Sequence, residues 1–170
     1  EKRVGFWFDV YSKYDSTNKI IHHLDYPWIQ FEIFNISEIL ARPQRFPWIN
    51  PEKADKETHI RLQVIRSELK VLAKKLKTQS EPELSEKEKL WVDQFQTLPG
   101  SLVKNVKLAA QRIRIQTGQK DFFAKGLNVA NRYLPHMEQI FIDHGLPKEI
   151  ARLPLVESSF NDFWSNMCDS

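Results

Sequence analysis

The stretch Arg61-Leu62-Gln63-Val64-Ile65-Arg66-Ser67-Glu68-Leu69-Lys70-Val71-Leu72-Ala73-Lys74-Lys75-Leu76 decides the fold class. Leu62, Ile65, Leu69, Leu72 and Leu76 recur at spacings of three and four, which places one apolar stripe along a long helix that starts near Pro51. The basic residues between Lys70 and Lys77 interleave with Val71, Leu72 and Leu76, so they read as the solvated face of that helix and not as an anion-binding patch. Thr78 to Pro82 breaks the pattern. Ser85 followed by Glu88 is a capping box that starts a second helix carrying Leu90, Trp91 and Phe95, and Pro99-Gly100 ends it. Ser101 can cap a third helix with Leu102, Val106, Ala109 and Ile113 inward, closed by Gly118. Asp121 can cap a fourth that runs to about Leu134. Pro135 suits the first turn of another, closed by Gly145, and Leu146-Pro147 begins a short helix that Pro154 interrupts.

Upstream of the long helix the chain is β-rich. Arg42 to Pro51 holds three prolines and reads as a linker or extended loop packed by Phe46 and Trp48. Asn18 to Leu24 and Trp28 to Ile36 read as two strands joined through Asp25-Tyr26-Pro27 into a hairpin. In the second strand Ile29, Phe31 and Ile33 form a wholly apolar set and Trp28, Gln30, Glu32, Phe34 and Ile36 a mixed one, as in a half-buried strand. Residues 4–11 suit either a strand or a short buried helix. The class is α+β, mostly α, with an N-terminal β-hairpin region over 1–50, a helical region over 51–118 and a third segment over 119–170.

With 170 residues, 41% hydrophobic and 28% charged, the chain fits one globular domain, or two small ones sharing a core. No apolar run approaches the roughly 20 residues of a membrane span. The single cysteine, Cys168, excludes an internal disulfide and a cysteine-cluster metal site. A net charge of +3 falls well short of a nucleic-acid footprint, so no nucleic-acid partner is expected. The start, Glu1-Lys2-Arg3-Val4-Gly5, has neither an initiator Met nor an apolar signal region and reads as a mature chain or an excised piece.

Motifs for chemistry are few. His22 and His23 are neighbours in a strand, so they point to opposite faces and cannot share a metal ion without distortion. His59, His136 and His144 are scattered, and no metal or cofactor is expected. The exception is Gly145-Leu146-Pro147-Lys148-Glu149-Ile150-Ala151-Arg152-Leu153-Pro154-Leu155-Val156-Glu157-Ser158-Ser159-Phe160-Asn161. It sets Glu157 among Leu153, Leu155, Val156 and Phe160. Apolar surroundings raise a carboxyl pKa, which is what a general acid near neutral pH requires. By pattern alone, the same segment also suits a solvated surface Glu near a helix end.

This segment resembles the catalytic-Glu motif of the lytic murein transglycosylases with a lysozyme-like (glycoside hydrolase family 23) domain, in particular their membrane-bound type D-like branch. The match lies in Gly145, Leu146, Pro147, Glu149, Leu153, Pro154, Val156, Glu157, Ser158, Phe160 and Asn161. Phe123, Tyr133-Leu134-Pro135 and Ile140-Phe141 are also similar, as are Phe6-Trp7, Tyr11-Ser12-Lys13-Tyr14 and Ile21-His22. The resemblance implies that residues 119–170 begin a lysozyme-like domain. It implies cleavage of the glycosidic bond between N-acetylmuramic acid and N-acetylglucosamine in peptidoglycan, in the periplasm of a bacterial cell envelope. Glu157 would be the acid and then the base, giving a 1,6-anhydro product with no second carboxylate, unlike the usual two-carboxylate glycosidases. Ser158 would orient it, and Phe160 and Asn161 would belong to the substrate site.

After Asn161 the family continues into Ser-x-x-Gly-Ala-x-Gly-x-Trp-Gln, whereas this chain reads Asp162-Phe163-Trp164-Ser165-Asn166-Met167-Cys168-Asp169-Ser170. The lysozyme-like domain is therefore expected to be incomplete and the chain weak or inactive, because a lone acid with half a cleft does not hold a glycan in reactive geometry. Self-association through an apolar face left exposed near the C-terminal end is expected as well. Two other readings remain at this level: a non-catalytic envelope module that binds glycan or protein, and a generic helical scaffold.

Overall fold

The computed structural model describes residues 1–79 and 81–157. It is α+β and mostly α. Residues 4–11 belong to helix α1, Lys2–Ser12, whose inner face buries Phe6 and Val10. Strands β1, Asn18–His23, and β2, Gln30–Asn35, form the expected antiparallel hairpin. A short turn of helix, α2, Ser37–Leu40, follows. In the loop after it, Phe46 and Trp48 stack on each other at 4.8 Å and stay exposed, so they do not pack the loop inward. Helix α3, Ile49–Thr78, starts two residues before Pro51, which is tolerated in a first turn where backbone N–H groups have no helical partner. The buried Asn50 fixes this start by donating to the carbonyls of Leu40 and Arg42 at 3.0 and 2.6 Å.

Helix α4, Glu86–Gln96, opens with the complete Ser85/Glu88 capping box. Glu88 also accepts from Lys75 Nζ at 2.8 Å, which joins α4 to α3. Trp91 and Phe95 face inward as expected, but Leu90 points to solvent and is 63% exposed. It precedes Trp91 by one position, about 100° around the helix, so both cannot face the core.

The third helix is shorter than its apolar spacing implied. Helix α5, Leu102–Ala109, has no side-chain cap from Ser101, and Ile113 begins strand β3, Ile113–Thr117. β3 pairs antiparallel with β1, which makes β1 the central strand of the order β2-β1-β3. Gly118 closes no helix. It lies so close to the backbone of Tyr14 and Asp15 that a Cβ would collide with both carbonyls. Asp121 is not the cap of the next helix either, which starts one residue before it; its carboxylate accepts from Ser16 N at 2.9 Å and Ser16 Oγ at 2.6 Å. Helix α6 runs unbroken over Lys120–Asp143 with Pro135 inside it. The donor that Pro135 lacks would have met the carbonyl of Asn131, an exposed residue whose carbonyl solvent can satisfy. Gly145, at φ 70°, makes the turn out of α6. A 3-10 helix, Lys148–Arg152, then gives way directly to α7, Leu153–Glu157, which holds Pro154 in its first turn.

A bulge in β2 opposite Ile21 and His22 changes the side-chain alternation. Ile29 and Phe31 face the core, whereas Ile33 lies on the other face and is 41% exposed, so the expected apolar set splits. Phe34 packs against the core in its place. One core crosses residue 50, with Ile21, Ile29 and Phe31 against Leu62, Ile65, Leu69, Leu72, Trp91, Phe95, Val106 and Ile113. A fully buried Leu, Ile or Phe side chain contributes roughly 1.5–3 kcal/mol, against about 0–1 for a surface ion pair, so this cluster dominates stability. The opposite face of the sheet buries Ile20 under Phe6 and Val10 of α1. His22 accordingly meets the Phe6 ring at 4.7 Å while His23 meets Phe95 at 6.4 Å, on opposite faces of the sheet as the strand alternation requires.

Candidate functional site

Glu157 is the last residue of α7. The 3-10 helix and α7 pack on α6, where Gly126 and Ala130 are buried small residues that allow close approach. Ala151 and Leu155 are buried, and Arg152 pairs with Glu138 of α6 at 3.1 Å. Leu155 therefore turns away from Glu157 into the packed side. Leu153 and Val156 remain 55% and 53% exposed, and Glu157 is exposed too. Among the described residues the apolar frame expected around this carboxyl group is thus open. Ser158, Phe160 and Asn161 lie outside the described residues.

α1 supplies the other part of the site. The Tyr11 hydroxyl donates to the carbonyl of Val156 at 3.5 Å. Burial, and after it the negative charge of Glu157, hold the Tyr11 phenol above its ordinary value. Tyr11 continues a row of rings: Trp7 lies 6.4 Å before it on α1, and Phe123 of α6 lies 5.4 Å beyond it. Together with Arg3, Val4, Phe8, Ser12 and Val156 these rings line a groove of about 720 Å³. Its walls are almost wholly apolar. Among the described lining residues Arg3 alone is charged; it stands at the end of α1 away from Tyr11 and donates to the Asp25 carbonyl at 2.8 Å.

Of the segments Phe6-Trp7 and Tyr11-Ser12, Tyr11 is thereby brought beside Glu157, whereas Phe6 is buried against the sheet. The groove itself was not legible in the sequence. Its sequence signal is the presence of Val4, Phe8 and Tyr11 on the face of α1 that does not carry Phe6 and Val10. The histidines do not join the site: His22 and His23 are both buried in the sheet, and burial is the main reason each sits below its ordinary pKa. Among the described residues no three His, Cys, Asp or Glu side chains form a metal-binding group. No described helix is long and apolar enough to cross a membrane.

No family model matches the chain, and no curated protein or solved structure matches it significantly.

Proposed function

We propose that the chain carries the acid/base residue of a peptidoglycan lytic transglycosylase, with Glu157 acting on glycan strands of a bacterial cell envelope. The observation that supports this most is the position of Glu157 at the end of α7, beside an aromatic groove and next to Tyr11. Aromatic rings suit the C–H faces of sugars, and the charge of Glu157 acts on Tyr11, one of those rings. As a neutral acid Glu157 protonates the oxygen that leaves with the next sugar. The substrate's acetamido oxygen shares the positive charge at the anomeric carbon. The carboxylate then takes the proton of the 6-hydroxyl as that oxygen bonds to the anomeric carbon, which closes the 1,6-anhydro ring and regenerates the acid. Ser158 orients the carboxyl group, and Phe160 and Asn161 contact the glycan.

A second reading is a non-catalytic envelope module that binds glycan or protein. It is favoured by the exposure of Glu157. For the same reason turnover by the 170-residue chain is expected to be weak. The exposed Leu146, Ile150, Leu153 and Val156, together with Tyr133 and Ile140 of α6, support self-association at this end.

Incubation of the chain with purified peptidoglycan sacculi tests both readings. Slow release of 1,6-anhydro muropeptides, abolished in Glu157→Gln, is the result expected of the enzyme. Retention on sacculi without any such product would favour the binding module. Neither retention nor product would end both.

A further inference from the structure

His22 is buried where a second proton has nowhere to bond. Strand alternation turns it, with Ile20, toward α1, and the Phe6 ring covers it at 4.7 Å. Its Nδ1–H donates to the His23 carbonyl at 2.9 Å, which leaves Nε2 as the acceptor of a neutral ring. Nε2 is buried and meets no partner among the described residues, so a proton there would become a buried donor with no acceptor. The surrounding charges also oppose it. Arg114 stands opposite in register on β3, and the uncharged Gln30 on β2. His23, the neighbouring titratable group, faces the other side of the sheet, and the Asp25 carboxylate pairs with His23 and Arg112. On α1 the charged residues one turn from Phe6 are Lys2, Arg3 and Asp9, and no ion pair among the described residues includes His22. Tyr11 and Tyr14, which border Phe6 and Val10, are neutral phenols in mild acid.

The part of α1 that covers His22 is weakly held. Lys2 and Arg3 stand in its first turn, where the helix dipole disfavours cations, and neither an acidic residue nor a side-chain cap offsets them. Gly5 lowers the helix propensity further. Phe6 is its one buried residue before Val10, and Arg3 adds one hydrogen bond to the Asp25 carbonyl. The other end is tied down: Gln119 N–H donates to the Val10 carbonyl at 2.8 Å and Lys120 N–H to that of Tyr14 at 2.9 Å.

We propose that the first half of α1 is an acid-released latch: protonation of His22 detaches residues 2–8 from the sheet and lets them unwind, while residues 10–14 stay tied and the main core stays packed. The main core lies on the other face of the sheet and shares no buried residue with the Phe6, Val10 and Ile20 cluster. Once detached, so short a stretch has too little intrinsic stability to remain helical. Burial holds His22 below its ordinary value, eased by the His23 carbonyl and reinforced by Arg114. The docked form therefore refuses a proton that the released form accepts. Docking is fully present above the free histidine value of about 6.5 and is lost as pH falls toward the depressed docked value. Trp7 moves with the released half, so the groove it lines with Tyr11 and Phe123 changes shape with pH. The inference does not depend on the reading of Glu157.

The test is backbone hydrogen exchange of the 170-residue chain at pH 8 and pH 5, corrected for intrinsic rates and repeated in low urea. Protection of the amides at 6–8 should fall by roughly ten- to thirtyfold between the two, the reach of one linked proton below a free value of about 6.5. That exchange should not respond to urea, because a local opening exposes little surface. Amides at 65–69 of α3 should stay better protected at both pH values and exchange only through urea-sensitive unfolding. In His22→Leu the pH dependence at 6–8 should vanish. Should that variant fail to fold, Arg114→Gln, an exposed change, takes its place. Relieved of the facing charge, α1 should then lose less protection than in the wild type, and a loss as large would overturn the proposal. So would protection at 6–8 equal to that at 65–69 at pH 5, an absence of pH dependence in the wild type, or an undiminished loss in folded His22→Leu.

Discussion

The Tyr11 hydroxyl lies 3.5 Å from the carbonyl oxygen of Val156, so that α1 and α7 meet although 145 positions separate the two residues. Glu157 follows Val156, and its charge acts on the Tyr11 phenol together with the burial of that ring. Substituting Glu157→Gln removes the charge and leaves the burial. The Tyr11 phenol should then ionise at lower pH than in the wild type. Alkaline titration followed by carbon-13 NMR of labelled tyrosine reads this directly, and an unmoved Tyr11 resonance would contradict the juxtaposition.

His22 and His23 should make the fold sensitive to mild acid. Both are 3% exposed, and both sit below their ordinary pKa chiefly through burial. For His22 the His23 carbonyl at 2.9 Å opposes the shift, and the charge of Arg114 adds to it. For His23, Asp25 opposes it, and Arg112 and His22 add to it. The unfolded chain therefore binds protons that the native chain refuses. Stability is fully present above the unfolded histidine value of about 6.5 and falls as pH drops from there toward the depressed native values. Urea midpoints measured between pH 8 and pH 5 should decline in the wild type and decline less in His22→Leu. This window lies well above that of the carboxylates, so the two contributions separate.

Gly118→Ala should be among the more damaging small changes in the chain. The added Cβ meets the Tyr14 and Asp15 carbonyls, which are fixed backbone and not flexible side-chain ends. The surrounding segment has little freedom to yield, because Gly118 N–H donates to the Asn18 carbonyl, Gln119 N–H to that of Val10 and Lys120 N–H to that of Tyr14. A loss of about 2–3 kcal/mol is expected from overpacking at a site that cannot relax, measured by urea denaturation.

Gln94 clips the open edge of the sheet. Its side-chain oxygen accepts from Gln30 N–H at 3.0 Å, and its amide donates to the Gln30 carbonyl at 3.4 Å, much as a neighbouring strand would. Gln94→Ala leaves both backbone groups unpartnered at a part-buried position and should cost about 1–2 kcal/mol. It also uncovers an edge that can pair with another chain, so light scattering on prolonged incubation should rise above that of the wild type.

Local chemistry was legible wherever a short run of residues sufficed to determine the outcome. The stripe of Leu62, Ile65, Leu69 and Leu72, the Ser85/Glu88 box and the Asn18–Asn35 hairpin are each specified by side chains within about three helical turns or one short connection, and all three are present. β3 was misread although Ile113-Arg114-Ile115-Gln116-Thr117 alternates with strand period. The helical spacing of Leu102, Val106, Ala109 and Ile113 competed with it, and only the demand of β1 for a second partner settles the matter. Asp121 had the right identity for a helix cap, but Ser16, 105 positions away, claims its carboxylate. Pro135 looked like a boundary because the exposure that makes its missing hydrogen bond cheap is a tertiary property.

The candidate site divides along the same line. By itself the sequence determined an α+β chain, mostly helical, with one carboxylate of note and a set of aromatic residues at its start. That these belong together depended on the tertiary structure. Docking of α1 on the sheet through Phe6 and Val10 turns Trp7, Phe8 and Tyr11 outward, and packing of the segment with buried Leu155 on α6 brings Val156 into the groove and Glu157 near Tyr11. Sequence periodicity reports which side of a helix is buried. Which other segment stands against the remaining side is set by the packing of helices and strands distant along the chain, and that is where the groove arises.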